Sequence, residues 1–493
     1  MEFNNNTFKN EKKGGEMKFF KFLCVIALIF SVSAISYAET QSVKISGSIT
    51  ERAFARSSYN LDSNGKEHDD GTESSRWETF LLSTVEVQVD AELTDNVSGV
   101  IRLVNQRVWG NNYYAYDHDT IVKDYNGREF ERSRSGSDNS YAIEVDLAYI
   151  ELKEFLYSPL TLRIGRQDLW FGRGFIVGAN FQDPNDSIYP REYTAIKSFD
   201  AIRATLDYDP WTIDAVYAKI AENALRSDDD GNLMGVNVGY VFDKYNAEAE
   251  VYYWFYKSKN SGSAVGTSWS SSDGVVNNDI HTIGFRGSFD PIEDWTVALE
   301  AATQYGAYIG ADNQRDKRYR FAYAVDAMVE CRAFQKKFKW RPVLALEYIL
   351  YSGEKNDGEA DKDTTGNFGG WHPMFRGKGD TFIREYQGLF YSTSQDSSPA
   401  YTNQHQVLLK GTVEPMDSLK VDVTYANFWQ AHKYSSKNKG SYIGSEFDFL
   451  ATWDYTEDVS FSLVTSWFFP GNHFGDSQDD VATNVVGTIK LTF

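Results

Sequence analysis

Residues 318–330 read Arg318-Tyr319-Arg320-Phe321-Ala322-Tyr323-Ala324-Val325-Asp326-Ala327-Met328-Val329-Glu330. Alternate positions separate into two faces. Tyr319, Phe321, Tyr323, Val325, Ala327 and Val329 make one, and Arg318, Arg320, Ala322, Ala324, Asp326, Met328 and Glu330 the other. Period two is the signature of a strand. A strand this long, with one apolar face and one ionised face, suits a wall between lipid and water.

The same pattern recurs along the chain. Leu81, Ser83, Val85, Val87, Val89, Ala91 and Leu93 oppose Leu82, Thr84, Glu86, Gln88, Asp90 and Glu92. Val481, Thr483, Val485, Gly487, Ile489, Leu491 and Phe493 oppose Ala482, Asn484, Val486, Thr488, Lys490 and Thr492. Eighteen such strands are predicted, starting near Val43, Trp77, Val97, Tyr141, Leu160, Phe199, Trp211, Leu233, Ala247, Asp279, Trp295, Arg318, Trp340, Asn403, Leu419, Tyr442, Val459 and Val481.

Short connections such as Thr94-Asp95-Asn96 and Tyr208-Asp209-Pro210 alternate with long polar ones at 57–75, 110–140, 170–197, 258–278 and 353–402. Trp211, Trp295, Trp340 and Trp453 sit beside short turns, and Trp77, Trp109, Trp429 and Trp467 beside long loops. Two aromatic girdles and two loop lengths predict an all-β transmembrane antiparallel barrel, with periplasmic turns and extracellular loops. A β-helix would show a short fixed repeat, and none is present. A sandwich core would not place ionised residues on one face so regularly. Phe493, closing an alternating strand, is similar to the terminal signature read by the barrel-assembly machinery.

Composition agrees. The chain has 493 residues, 15% of them aromatic, only two Cys and a net charge of −21. An acidic balance argues against nucleic acid as a partner. Two Cys exclude a disulfide framework. Lys18 to Lys21, the apolar run Phe22 to Phe30 and Ser36-x-Ala38 read as a secretory signal cleaved after Ala38. Codons for Lys13 to Glu16 can spell a ribosome-binding site, so Met17 is the expected start. Residues 1–38 carry five Lys and three Glu, which leaves −23 on the barrel domain, 39–493.

Lumen-phase cations are Arg102, Arg163, Arg203, Arg286, Arg318, Arg320, Lys410 and Lys420. Lumen-phase acids are Glu86, Asp90, Glu144, Asp146, Asp214, Glu248, Glu250, Glu300, Asp326, Glu330, Glu347, Asp422 and Asp448. Most are expected to pair across strands. Unpaired arginines at a constriction would select anions, because the guanidinium fork matches a carboxylate. Arg166 has the opposite phase to Arg163, and a bulge at Gly165 is expected to turn both inward. Phe171-Gly172-Arg173-Gly174-Phe175-Ile176-Val177-Gly178-Ala179-Asn180-Phe181 is too apolar for a solvated tip and is expected to enter the pore or pack on its rim.

The run Arg163-x-Gly165-Arg166-Gln167, the Gly-rich loop, Phe199-Asp200-Ala201-x-Arg203 and the strand Trp211 to Tyr217 together resemble the alginate-export outer-membrane porins. The resemblance implies an eighteen-stranded barrel conducting an anionic polysaccharide outward through an arginine-rich constriction. It makes Arg163, Arg166 and Arg203 the foremost substrate-binding residues, with Arg102, Arg318, Arg320 and Lys410 beside them. Expected partners are outer-membrane lipid, the barrel-assembly machinery, and anionic polysaccharide or small solutes. A general or small-solute uptake porin is the first alternative; a non-conducting adhesin, receptor or hydrolase is the second. The scattered histidines make no metal pair, and no nucleophile motif accompanies His281 or His405, so neither an enzyme nor a cofactor is expected. Calcium in the acidic stretches Asp228 to Asn232 and Asp357 to Asp363 is a weak reading, since neither has EF-hand spacing.

Overall fold

The computed structural model describes residues 41–59, 61, 77–109, 122–123, 129–130, 143–157, 159–181, 191–222, 230–260, 276–309, 317–354, 367–390, 401–433, 440–474 and 478–493. The expected signal segment and most of the two acidic stretches lie outside these residues. Asp230 is described and lies 3.0 Å from Lys219.

The strands are β1 (Ser42–Ser57), β2 (Trp77–Thr94), β3 (Val97–Val108), β4 (Glu144–Leu152), β5 (Leu160–Gln167), β6 (Phe199–Tyr208), β7 (Trp211–Ala221), β8 (Gly231–Phe242), β9 (Ala247–Asn260), β10 (Val276–Ile292), β11 (Trp295–Ile309), β12 (Lys317–Cys331), β13 (Val343–Tyr351), β14 (Gln404–Met416), β15 (Leu419–Gln430), β16 (Tyr442–Asp454), β17 (Val459–Pro470) and β18 (Ala482–Thr492). A two-residue ladder, Val122–Lys123 with Glu129–Phe130, stands apart from them.

Each strand pairs antiparallel with the next, and β18 returns to β1 with Ser48 opposite Thr492 and Ser57 opposite Thr483. Gly47 and Phe493 exchange both backbone hydrogen bonds, at 2.9 and 3.0 Å. The ring is a closed eighteen-strand barrel, as the alternation predicts. Closure removes the unpaired edge that hydrocarbon cannot solvate.

The side-chain phases also follow the sequence. Tyr319, Phe321 and Tyr323 are exposed on the outside, while Ala322, Ala324 and Asp326 are buried within. Some starts differ by three residues: the strand expected near Asp279 begins at Val276, and another begins late. The strand expected from Trp340 starts at Val343, because Pro342 has no N–H to give a ladder and Arg341 has φ 48°.

The barrel has its hydrophobic core inside. Phe171, Phe175, Ile176 and Val177 of the β5–β6 loop and Trp371, Met374 and Phe375 of the β13–β14 loop are buried together with wall residues Phe199, Tyr252, Trp254, Tyr256 and Tyr351. Both long loops fold into the lumen.

Candidate functional site: a charged strap across the lumen

The β5–β6 loop leaves the wall at Asp168. Two glycines let it turn back: Gly172 and Gly174 have φ of 53° and 72°. A Cβ on Gly174 would lie 2.5 Å from the Trp170 ring, so both its conformation and its surroundings exclude a side chain. The loop then runs beside the β13–β14 loop. Gly178 and Ala179 N–H donate to Phe375 O at 2.7 and 3.0 Å, Phe375 N–H donates to Ile176 O at 2.9 Å, and Gly377 N–H donates to Gly174 O at 2.9 Å. The two loops form one strap, in which each satisfies backbone groups of the other.

Arg173 carries the strap to the far wall. Its guanidinium lies 3.2 Å from Asp326 on β12 and 2.7 Å from Glu347 on β13. These strands stand six to eight places around the eighteen-strand ring from β5 and β6, across the lumen from them. Lys378 lies 2.9 Å from Asp326 and also touches Glu347. Lys410 on β14 bridges Glu347 at 2.6 Å and Asp380 at 2.7 Å. Arg376 reaches Asp380 at 2.7 Å and stacks over Phe175, Tyr351 and Tyr401. Burial opposes the ionisation of Asp380, but Lys378, Lys410 and Arg376 outweigh it and hold that carboxyl well below its ordinary range. Glu385 is pushed upward by burial and by neighbouring Asp380.

The wall holds the strap in two further places. A short helix, α1 (Arg384–Phe390), begins against Glu446 of β16, whose carboxylate accepts N–H bonds from Phe382, Ile383 and Arg384 at 2.9, 2.7 and 2.8 Å. His372 and Gln304 of β11 exchange two bonds, at 2.8 and 2.9 Å. Burial and Arg320 lower the His372 imidazole to about 3, and its Nδ1 accepts the Met374 N–H at 3.0 Å.

The cations anticipated from the sequence separate into three groups. Arg163 and Arg203 are brought together, directly opposite each other on β5 and β6. Arg163 Nε donates to Glu151 at 2.9 Å and Arg203 Nε to Asp214 at 2.8 Å. Arg102 stands nearby, with Asp146 at 2.6 Å and Asp168 at 3.4 Å. Lys410 belongs to the strap network. Arg318 and Arg320 serve loop packing instead. Arg318 lies 3.3 Å from Glu354, while Arg320 is buried, donates to Gly370 O at 2.5 Å and stacks on Phe368.

Arg166 departs from expectation. The β4–β5 and β5–β6 ladders pass Gly165 without a register shift. Gly165 takes φ 124° with Ala148 O where a Cβ would stand, yet the phase does not change. Arg166 stays on the face of Ile164, 3.7 Å from Asp200, and is not turned toward Arg163.

Sequence reading missed Arg173, Arg376 and Lys378, whose loop positions have no strand phase. It also missed Arg52, although that residue is in phase with Thr50 and Phe54 on the inward face of β1. Arg52 donates to Thr84 Oγ1 at 3.2 Å, faces the Tyr193 ring at 5.5 Å and makes no ion pair among the described residues.

Solved structures share this architecture. Acinetobacter baumannii OccAB2 superposes with a TM-score of 0.52 at 10% identity, over 93% of this chain and 99% of its own. Pseudomonas aeruginosa OccK2 (OpdF) gives 0.51 at 10%, over 92% and 99%. Acinetobacter baumannii OccAB3 gives 0.52 at 7%, over 92% and 99%. At these identities the likeness is one of fold. No curated protein matches the sequence. The barrel is that of a bacterial outer-membrane porin. Residues 59–488 match the family described as alginate export, and the chain belongs to that family.

Proposed function

We propose that the protein is an anion-selective channel whose strap and facing wall form a constriction for a carboxylate-bearing polysaccharide passing outward. The observation that carries this reading is an asymmetry within the ion pairs. Arg102 is 23% exposed and its partner Asp146 not at all. Arg203 is 23% exposed against 5% for Asp214, and Lys410 is 28% exposed against none for Glu347. At these three pairs the acid recedes into the wall while the base stands toward the water. A net-acidic chain can therefore present a basic lumen, and a narrow low-dielectric passage strengthens that field. The pattern reverses at Arg286, where Glu248 is the more exposed partner, and at the second partner of Arg102, Asp168, which is 57% exposed. Selectivity is thus assigned to the stretch of lumen lined by Arg102, Arg203 and Lys410. In this reading the protein does no covalent chemistry.

A second reading, uptake of small carboxylate-bearing solutes, is favoured by the strap itself, which divides the lumen. Reversal potentials in planar bilayers under a KCl gradient test the charge. Anion preference at low salt, lost in the triple variant Arg52→Ala, Arg163→Ala, Arg203→Ala, supports the proposal. Cation preference in the unaltered protein overturns it, and the absence of conductance would make it a closed receptor. Block of the current by oligouronates but not by monomeric uronate separates polymer from small solute.

A further inference from the structure

A groove of about 660 Å³ opens on the outside of the barrel across β8–β12. Two small outward residues of β11 set its floor. Ala301 lies between Phe285 and Val325, and Thr303 between Ile283 and Tyr323. Val236, Val251 and Tyr253 continue the wall on one side. These outward positions belong to the apolar band that meets the hydrocarbon.

A polar cluster stands immediately above, toward the long loops. His281 is two residues beyond Ile283 on the same face, about 7 Å along the strand. Tyr253 Oη lies 2.7 Å from His281 Nδ1. The imidazole stacks on Tyr305 at 5.3 Å with 9° between planes, and on Phe255 at 4.5 Å. His281 Nε2 has no partner among the described residues. Lys257 shares this face one step higher, opposite Asp279, and neither residue makes an ion pair among the described residues. Two cationic or donor groups and one carboxylate therefore crown an apolar slot.

We propose that this groove binds one acyl chain of an outer-leaflet lipid whose phosphate headgroup is held by His281 and Lys257. The slot lies in the established lipid-facing band, so its occupant arrives from the bilayer. A second copy related by a two-fold axis would set groove against groove and leave both unfilled. A chain lying along β11 contacts floor and both walls, whereas a flat barrel face offers one side only. Headgroup and slot are arranged in the order that a lipid presents them.

Native mass spectrometry of the full barrel in detergent, titrated with dimyristoylphosphatidic acid, tests this. One tightly held equivalent is expected. The double variant Ala301→Leu, Thr303→Leu, which fills the slot with lipid-compatible side chains, should weaken it at least ten-fold. So should Lys257→Gln with His281→Gln. Ala53→Leu, outward on β1 at the far side of the ring, should leave it unchanged. Heat-modifiable migration of every variant confirms folded barrels. Equal retention by wild type and the slot-filled variant overturns the proposal. So does equal affinity for dimyristoylglycerol, or a dimer that the slot-filled variant dissolves.

Discussion

Arg163 and Arg203 face each other directly across the β5–β6 ladder, and each is held by a carboxylate from the next strand outward, Glu151 on β4 and Asp214 on β7. Like charges directly opposite repel. The flanking acids offset that repulsion and leave both guanidinium groups aimed at the lumen. Asp214 is the more buried of the two and also accepts from Thr205 at 2.6 Å. Changing Asp214 to Asn should cost about 2 kcal/mol of stability and move the reversal potential toward greater anion preference. Thermal unfolding in detergent and bilayer recording read the two effects separately. An unchanged reversal potential would mean that ions do not pass this pair.

The strap depends on its glycines. Gly174→Ala places a methyl group against the Trp170 ring and forces a left-handed conformation that costs about 1–2 kcal/mol. The expected result is larger, noisier single-channel conductance with the barrel's melting temperature unchanged. A quiet channel of unaltered size would show that the strap does not limit conduction.

Acid should loosen the same strap. His372 is neutral when docked, its imidazole lowered to about 3 against an ordinary value near 6.5. A depressed histidine stabilises the docked loop above the higher value, and that contribution is lost as pH falls from about 6.5 to about 3. Protonation would also end the bond that Nδ1 accepts from Met374 N–H. Emission from Trp371, buried beside it, should shift red on acidification from pH 7 to pH 4. In His372→Gln the shift should shrink. A wild-type signal flat over this range would exclude the histidine as the sensitive group.

The lipid and lumen faces should differ sharply at mid-strand. Val87 is outward on β2 and exposed, and Gln88 is inward. Val87→Arg should cost about 2–4 kcal/mol in lipid. Gln88→Arg meets water and should cost under about 1 kcal/mol. Equal losses in a urea unfolding series would contradict the phase assignment.

The wall was legible in the sequence because each strand repeats one physical choice, lipid or water, at every second residue. Eighteen strands, their order and their closure at Phe493 follow from that repetition. Arg163, Arg203 and Arg102 were legible for the same reason, since phase alone places them inward. The strap was only half legible. Its apolar composition announced that it would not be solvated, but nothing periodic said where Arg173 would land or that Phe375 would meet Ile176. Arg166 shows the limit of local inference: a glycine in a strand suggested a bulge, and the two neighbouring ladders hold the register through it. Arg318 and Arg320 had the right phase, yet the second loop covers them, and phase carries no information about what lies on top.

Arg173 meets Asp326 across 153 residues of chain. Glu446, which caps α1, lies on a strand that follows the helix by more than fifty residues. The strap therefore has no docking site until β12, β13 and β16 already stand in the ring. Loop closure over such separations is slow and is rewarded only once its partners are in place. Narrowing of the tube therefore waits on most of its wall, and comes late in maturation. Until that docking the ring encloses an open lumen, so the loops, and not the wall, decide when each copy acquires its filter.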